Sequence, residues 1–182
     1  MSQYVDAPLP YPINDGMALK TLLQAHGVDV LTAYDCMIDE LKEVRDQYLD
    51  SLQPGDIALI SFCGHGCVFN NEQRLLALKT FEHRDLRHDS LGVLKLIAKL
   101  TKRRVGMIIM ILDCCREFKY GGAVRATRTD GYSYQPPAGV IIAHACGSNK
   151  FAFEHHGEPH GRPTTLVSQS LHVHAVDAIY WS

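Results

Sequence analysis

The chain has 182 residues, a formal net charge of −2 and 46% hydrophobic residues, values typical of a single globular domain. Acidic and basic residues are mixed along the chain, which disfavours nucleic acid or an anionic membrane as a partner. No apolar run approaches the roughly 18 residues of a membrane span, and the N-terminus lacks the layout of a secretion signal. We therefore expect one soluble, cytoplasmic domain over residues 1–182.

The pattern of cysteines also favours a cytoplasmic location. Six of them, at positions 36, 63, 67, 114, 115 and 146, lie mostly in or beside apolar runs. Because the adjacent Cys114 and Cys115 fit poorly into a disulfide framework, we expect reduced thiols.

Helices and strands are predicted to alternate in the first half of the chain. A helix is expected up to residue 25, with Asn14 or Asp15 as its N-cap and Gly27 as its stop. A strand over 28–32, a helix over 36–52 and an apolar strand over 57–62 follow. The turn Pro54-Gly55-Asp56 separates the last two.

The second half continues this alternation. The expected elements are a short apolar run at 75–78, a helix over 90–100, a strand over 107–112, a long loop over 119–137, a strand over 140–146 and a helix over 166–179. This order predicts an α/β three-layer sandwich, with a mostly parallel sheet and helices on both faces.

A histidine and a cysteine follow the two most apolar predicted strands. Residues 57–62 lead into Gly64-His65-Gly66, and residues 107–112 lead into Asp113-Cys114-Cys115-Arg116. Open α/β sheets place their sites beyond the carboxyl ends of parallel strands, where an imidazole can activate a thiol. His65 and Cys115 are 50 positions apart, the His-to-Cys spacing of caspase-type peptidases. Alternation along the strand leaves either Cys114 or Cys115 as the nucleophile.

Several segments together resemble the caspase-like cysteine peptidases, and within them the paracaspase and metacaspase branch. The similar segments are Tyr11-Pro12-Ile13-Asn14-Asp15-Gly16, Gly55-Asp56 through Gly64-His65-Gly66, Leu112-Asp113-Cys114-Cys115-Arg116, Ala152-Phe153-Glu154 and Gly161-Arg162-Pro163-Thr164-Thr165-Leu166. The Asp-x-Cys-Arg form is more similar to the paracaspase pattern than to the metacaspase one.

The resemblance implies a cysteine endopeptidase with a Cys–His dyad. Cys115 is then the nucleophile and His65 the proton carrier, with the backbone N–H groups of Gly66 and Cys115 as the oxyanion hole. Asp15 and Asp113 are implied to bind the residue before the cleaved bond, with Glu154 as a third acidic group. Since carboxylates favour a basic side chain, cleavage after Arg or Lys is expected rather than after Asp.

The resemblance also implies incomplete ends. Relatives open with an apolar strand that comes before the Pro-containing segment, so a central strand is expected to be absent here. Relatives also continue past the C-terminal residues of this chain. Arg125 and Arg128 are candidate self-cleavage positions in the long loop.

Two other function classes are compatible with the sequence. One is a catalytically weak or inactive caspase-like module that binds a partner, a homologous domain or a second copy of itself through an open sheet edge. The other is a metal site in which Cys63, His65 and Cys67 combine with Cys114, Cys115 or Cys146, although the spacing differs from usual zinc sites. A protein or peptide substrate and no cofactor or metal is the favoured expectation, and calcium dependence is not indicated.

Overall fold

The computed structural model describes residues 4, 8–69, 72–77, 86–114, 135–144 and 177–181, the last of these by its backbone. Its three helices are α1 (Pro12–Ala25), α2 (Ile38–Ser51) and α3 (Val93–Lys102). Its strands are β1 (Val30–Ala33), β2 (Ile57–Cys63), β3 (Gly66–Phe69), β4 (Glu72–Leu76), β5 (Ser90–Gly92), β6 (Met107–Asp113), β7 (Val140–His144) and β8 (Asp177–Trp181). None of these helices has the length and apolarity that crossing a membrane requires.

The main sheet has the strand order β1-β8-β2-β6-β7, and all its neighbouring strands are parallel. β2 and β6 are continuous apolar runs, as expected for strands covered on both faces. They pair in one register from Ile57 opposite Met107 to Cys63 opposite Asp113. The predicted strands at 57–62, 107–112 and 140–146 are therefore confirmed within the described residues.

Helices cover both faces of this sheet. One face packs Ala58, Ile60 and Phe62 of β2 with residues of α2 and α3 in the larger core cluster. On the other face, Leu19 and Leu23 of α1 pack against odd-numbered β2 residues. The predicted α/β architecture with helices on both faces is confirmed for these elements.

The start of α1 differs from the prediction. The helix begins at Pro12 with Tyr11 as its N-cap, so Asn14 and Asp15 lie inside the helix. Proline is favoured at the first helical position because its fixed φ suits the helix and its missing N–H costs nothing there. The predicted stop is confirmed, since Gly27 has a φ of 77°.

A second, antiparallel sheet of order β3-β4-β5 was not predicted as such. Leu75 and Leu76 of the predicted apolar run end β4, and Ala77 follows the strand. Ser90–Gly92 forms a strand rather than the first turn of a helix. Ser90 pairs with Leu76 and Leu91 with Leu75, so these three residues complete a sheet before α3 begins at Val93. The pairing with β4 overrides their local helical pattern.

The C-terminal strand occupies an unexpected place. Residues 177–179, predicted as the end of a helix, belong to β8, while 166–176 lie outside the described residues. β8 pairs with β1 on one side and β2 on the other. β8 thus lies between β1 and β2, and the expected absence of the strand that precedes the Pro-containing segment stays a prediction.

We expect Ile179→Pro to destabilise the domain strongly. A proline in the middle of a strand paired on both sides removes a ladder hydrogen bond, and β8 has two neighbours. Thermal unfolding followed by circular dichroism should show a large fall in midpoint or loss of the transition. Ile179→Val keeps the backbone N–H and should retain the transition; equal behaviour of the two variants would contradict the position of β8.

Candidate active site

The carboxyl ends of β2 and β6 form the base of the candidate site. Cys63 lies opposite Asp113 at the end of the pairing, and the Gly64 N–H donates a 3.1 Å hydrogen bond to the Asp113 carbonyl. His65 comes directly afterwards. Cys115, two residues after Asp113, lies outside the described residues, as do Glu154, Arg125 and Arg128.

Tyr4 holds His65 in place. The Tyr4 hydroxyl accepts a 3.1 Å hydrogen bond from the His65 backbone N–H and donates a 2.8 Å bond to the Leu76 carbonyl. The centroids of the Tyr4 and His65 rings are 4.3 Å apart, with a tilted arrangement. Burial raises the pKa of the Tyr4 hydroxyl well above its usual value, so this group stays protonated and remains a donor.

Gly66 begins β3 with its N–H turned away from β4. The Leu76 N–H donates to the His65 carbonyl at 3.0 Å, so His65 and Leu76 form a hydrogen-bonded position of the ladder. The next pair, Gly66 opposite Leu75, is then a non-hydrogen-bonded pair, whose N–H groups point outward. This geometry directs the Gly66 N–H to the side away from β4, within a residue that is itself buried.

An acidic group lies on the α1 face of the sheet. One potential ligand atom from each of Asp15, Cys63 and Asp113 lies within 4.8 Å of the other two. Asp15 is 1% exposed, Cys63 is buried and Asp113 is half-buried. The Cys63 thiol donates to Asp15 Oδ2 across 3.9 Å. The structure therefore brings together Asp15 and Asp113, as the resemblance implied.

The Cys63 thiol is a poor nucleophile in this setting. Burial raises its pKa well above the usual value, and the Asp113 and Asp15 carboxylates raise it further. Cys63 is therefore a neutral hydrogen-bond donor beside two carboxylates at neutral pH.

Cys114 faces the opposite side of the sheet from Asp113. It is 1% exposed, belongs to the larger core cluster, and its Sγ accepts a 3.3 Å hydrogen bond from Gln73 Nε2. A cysteine with these contacts is a packed core residue. Of the two adjacent cysteines, Cys114 is thus engaged in the core.

The thiol and imidazole metal set is not assembled in the portion of the chain that is described. Cys63 packs in the α1-side core cluster, whereas Cys67 packs in the larger cluster with Cys114. The group with metal-ligand proximity found there is Asp15, Cys63 and Asp113 instead.

Tyr4 and Gln73 are positioning contacts that the sequence did not reveal. Each forms its hydrogen bond with a residue far away in the chain, and neither belongs to a motif. The sequence indicates a site role for Cys63 only as part of a metal set. Because side chains alternate along a strand, residues 59, 61 and 63 share one face of β2, and this alternation predicts that Cys63 lies on the same face of the sheet as Asp113.

A comparison with protein families gives the reaction class. A family model described as Caspase domain matches residues 1–175. The chain belongs to the caspase-domain family. No curated protein sequence matches it significantly. Membership in this family implies a cysteine peptidase, in agreement with the sheet architecture and with a histidine following the end of β2.

We expect Tyr4→Phe to destabilise this caspase domain by about 1–3 kcal/mol, because the His65 N–H and the Leu76 carbonyl lose their shared partner. Urea unfolding would measure the change. Tyr11→Phe is the control, since no hydrogen bond of that hydroxyl occurs within the described ranges; it should change the free energy of unfolding by less than about 0.5 kcal/mol. Equal effects of the two variants would contradict the bridging role.

We also expect the buried cysteines of the caspase domain to resist alkylation. Burial raises the pKa of Cys36 and of Cys67 to about 11 from 9.0, so their thiolate fraction at pH 7.5 is about one hundredfold below that of an ordinary thiol. Iodoacetamide treatment and peptide mass spectrometry should show Cys36, Cys63, Cys67 and Cys114 unmodified in the native protein and modified in urea. Rapid native labelling of Cys63 or Cys67 would contradict their burial.

Proposed function

We propose that the chain is a cysteine endopeptidase of the paracaspase and metacaspase branch that cleaves peptide bonds after Arg or Lys. Cys115 is the nucleophile, His65 transfers the proton, and Asp15 and Asp113 bind the basic side chain. Glu154 is a further acidic group of the same pocket. The branch assignment is supported by the Asp-x-Cys-Arg sequence at 113–116 and by the carboxylates on the α1 face.

The observation that carries the dyad is the register of β2 and β6. Every pair from Ile57 and Met107 to Cys63 and Asp113 is offset by 50 positions, the separation of His65 and Cys115. Both residues therefore follow the ends of adjacent parallel strands by the same number of residues. The commitment of Cys114 to Gln73 and the core favours Cys115 as the nucleophile.

The reaction proceeds by acyl transfer. His65 accepts the Cys115 proton, and the thiolate attacks the carbonyl carbon of the substrate while the carbonyl oxygen becomes an oxyanion. The outward Gly66 N–H, together with the Cys115 N–H, stabilises that oxyanion. The C–N bond breaks as His65 gives the proton to the leaving amine, and water then hydrolyses the thioester.

The acidic group supports the preference for a basic residue. Two carboxylates within 4.8 Å of each other, one of them almost fully buried, favour a cation between them. An arginine guanidinium satisfies two carboxylates through its planar set of donors. An aspartate side chain in the same place would meet like charges in a partly desolvated setting, which disfavours cleavage after Asp.

The dyad is tested with fluorogenic peptides that end in Arg or in Asp. The unmodified chain should hydrolyse the Arg peptide. Cys115→Ala and His65→Ala should reduce kcat by about one thousandfold or more, whereas Cys114→Ala should retain turnover. Activity that survives Cys115→Ala and is lost in Cys114→Ala would reverse the cysteine assignment. A folded chain without turnover of either peptide would favour the interaction module.

The specificity is tested at the carboxylates. Asp15→Asn and Asp113→Asn should each lower kcat/KM for the Arg peptide by about thirtyfold or more, because one partner of a desolvated charge pair is lost. Asp29→Asn, at an exposed position between α1 and β1 in the chain, is the matched control and should leave kcat/KM unchanged. Equal losses in all three variants, or a preference for the Asp peptide, would refute the basic specificity.

A further inference from the structure

A second charged site lies on the face of the sheet away from Asp15. It is a cleft of about 160 Å³ between α2, α3 and the paired strands β4 and β5. We call it the basic cleft, because six cationic side chains line it: Lys42, Arg45, Arg74, Arg87, Lys95 and Lys99.

The floor of the basic cleft is rigid. Arg74 has a side chain that is 3% exposed, and its guanidinium donates to Ser90 Oγ at 3.1 Å, Glu72 at 3.0 Å and the Arg87 carbonyl at 2.9 Å. Gly92 packs so closely that an added Cβ would overlap the Glu72 carboxylate. These contacts fix the cationic floor before any ligand binds, which lowers the cost of ordering on binding.

The positive charge of the cleft exceeds the negative charge around it. Among the described residues, three carboxylates pair with its walls: Asp39 with Lys42, Asp46 with Arg45 and Lys99, and Glu72 with Arg74. Lys95 makes no ion pair in that part of the chain, and the Arg87 guanidinium lies 5.9 Å from the centre of the Phe69 ring. Even with Arg87 left out, five cations face three carboxylates among these residues, an excess that attracts an anion.

The size of the cleft limits the kind of anion. A volume of about 160 Å³ is below the roughly 300–1,000 Å³ of typical ligand pockets, which suits a small ligand rather than a protein segment. Several cations converging from different segments match a ligand with several negative charges, and Lys and Arg both bind phosphate oxygens well. We propose that the basic cleft binds a small polyphosphate anion.

The test is calorimetric titration of the full chain with sodium tripolyphosphate at constant ionic strength near 0.15 M, where long-range screening is strong. One saturable site is expected. Lys95→Ala should weaken binding by about tenfold, because a charge-assisted contact is lost. Lys102→Ala is the matched control, since Lys102 is exposed on the same helix but does not line the cleft. It should weaken binding by less than about twofold.

Further ligands separate the sources of the phosphate chain. If ATP and tripolyphosphate bind with equal affinity, the phosphates alone are recognised. If ATP binds more tightly, the nucleoside makes further contacts. Both results support the proposal. The proposal would be overturned if no saturable binding occurs or if Lys95→Ala and Lys102→Ala weaken binding equally. It would also be overturned if sulfate displaces tripolyphosphate as well as tripolyphosphate itself does. Tighter, Lys95-dependent binding of a short RNA would also overturn it, in favour of nucleic acid.

Discussion

The parallel pairing of β2 with β6 in a single register is the constraint on which the candidate site depends. It sets Cys63 opposite Asp113 and gives the two strands a common end from which the segments carrying His65 and Cys115 leave. Because side chains alternate along a strand, a shift of one residue would turn Asp113 away from Asp15 and move Leu112 out of the larger core. The apolar burial that stabilises the sheet therefore also fixes which side chains reach the acidic group.

The small antiparallel sheet attaches to this edge through β4. Leu76 accepts from Tyr4, whose hydroxyl stands between it and the His65 N–H, and Gln73 donates to Cys114. One strand thus contacts the segments that follow both β2 and β6. A site built beyond strand ends needs supporting contacts of this kind, because errors of about 0.5 Å in position already reduce activity. The second sheet consequently contacts the residues that follow β2 and β6 as well as extending the core.

The sequence predicted the long apolar elements well and the short paired ones poorly. β2, β6 and β7 are continuous apolar runs, and α2 was located within two residues at its start and one at its end. β5 is three residues long and β8 five, and both are defined by partners distant in the chain, so local patterns misassigned them. In the site, Asp15 and Asp113 were identified through the resemblance, whereas Tyr4 and Gln73 were missed because their roles exist only in three dimensions.

The formal net charge is only −2, but negative and positive side chains are concentrated on opposite faces of the sheet. Mixed acidic and basic residues along the chain disfavour nucleic acid or an anionic membrane as a partner, yet folding gathers carboxylates on the α1 face and six cations at the basic cleft. The two sites lie on opposite faces of the sheet, with apolar core layers between them. Net charge describes the solubility of such a domain, while its binding preferences depend on where the fold concentrates each sign.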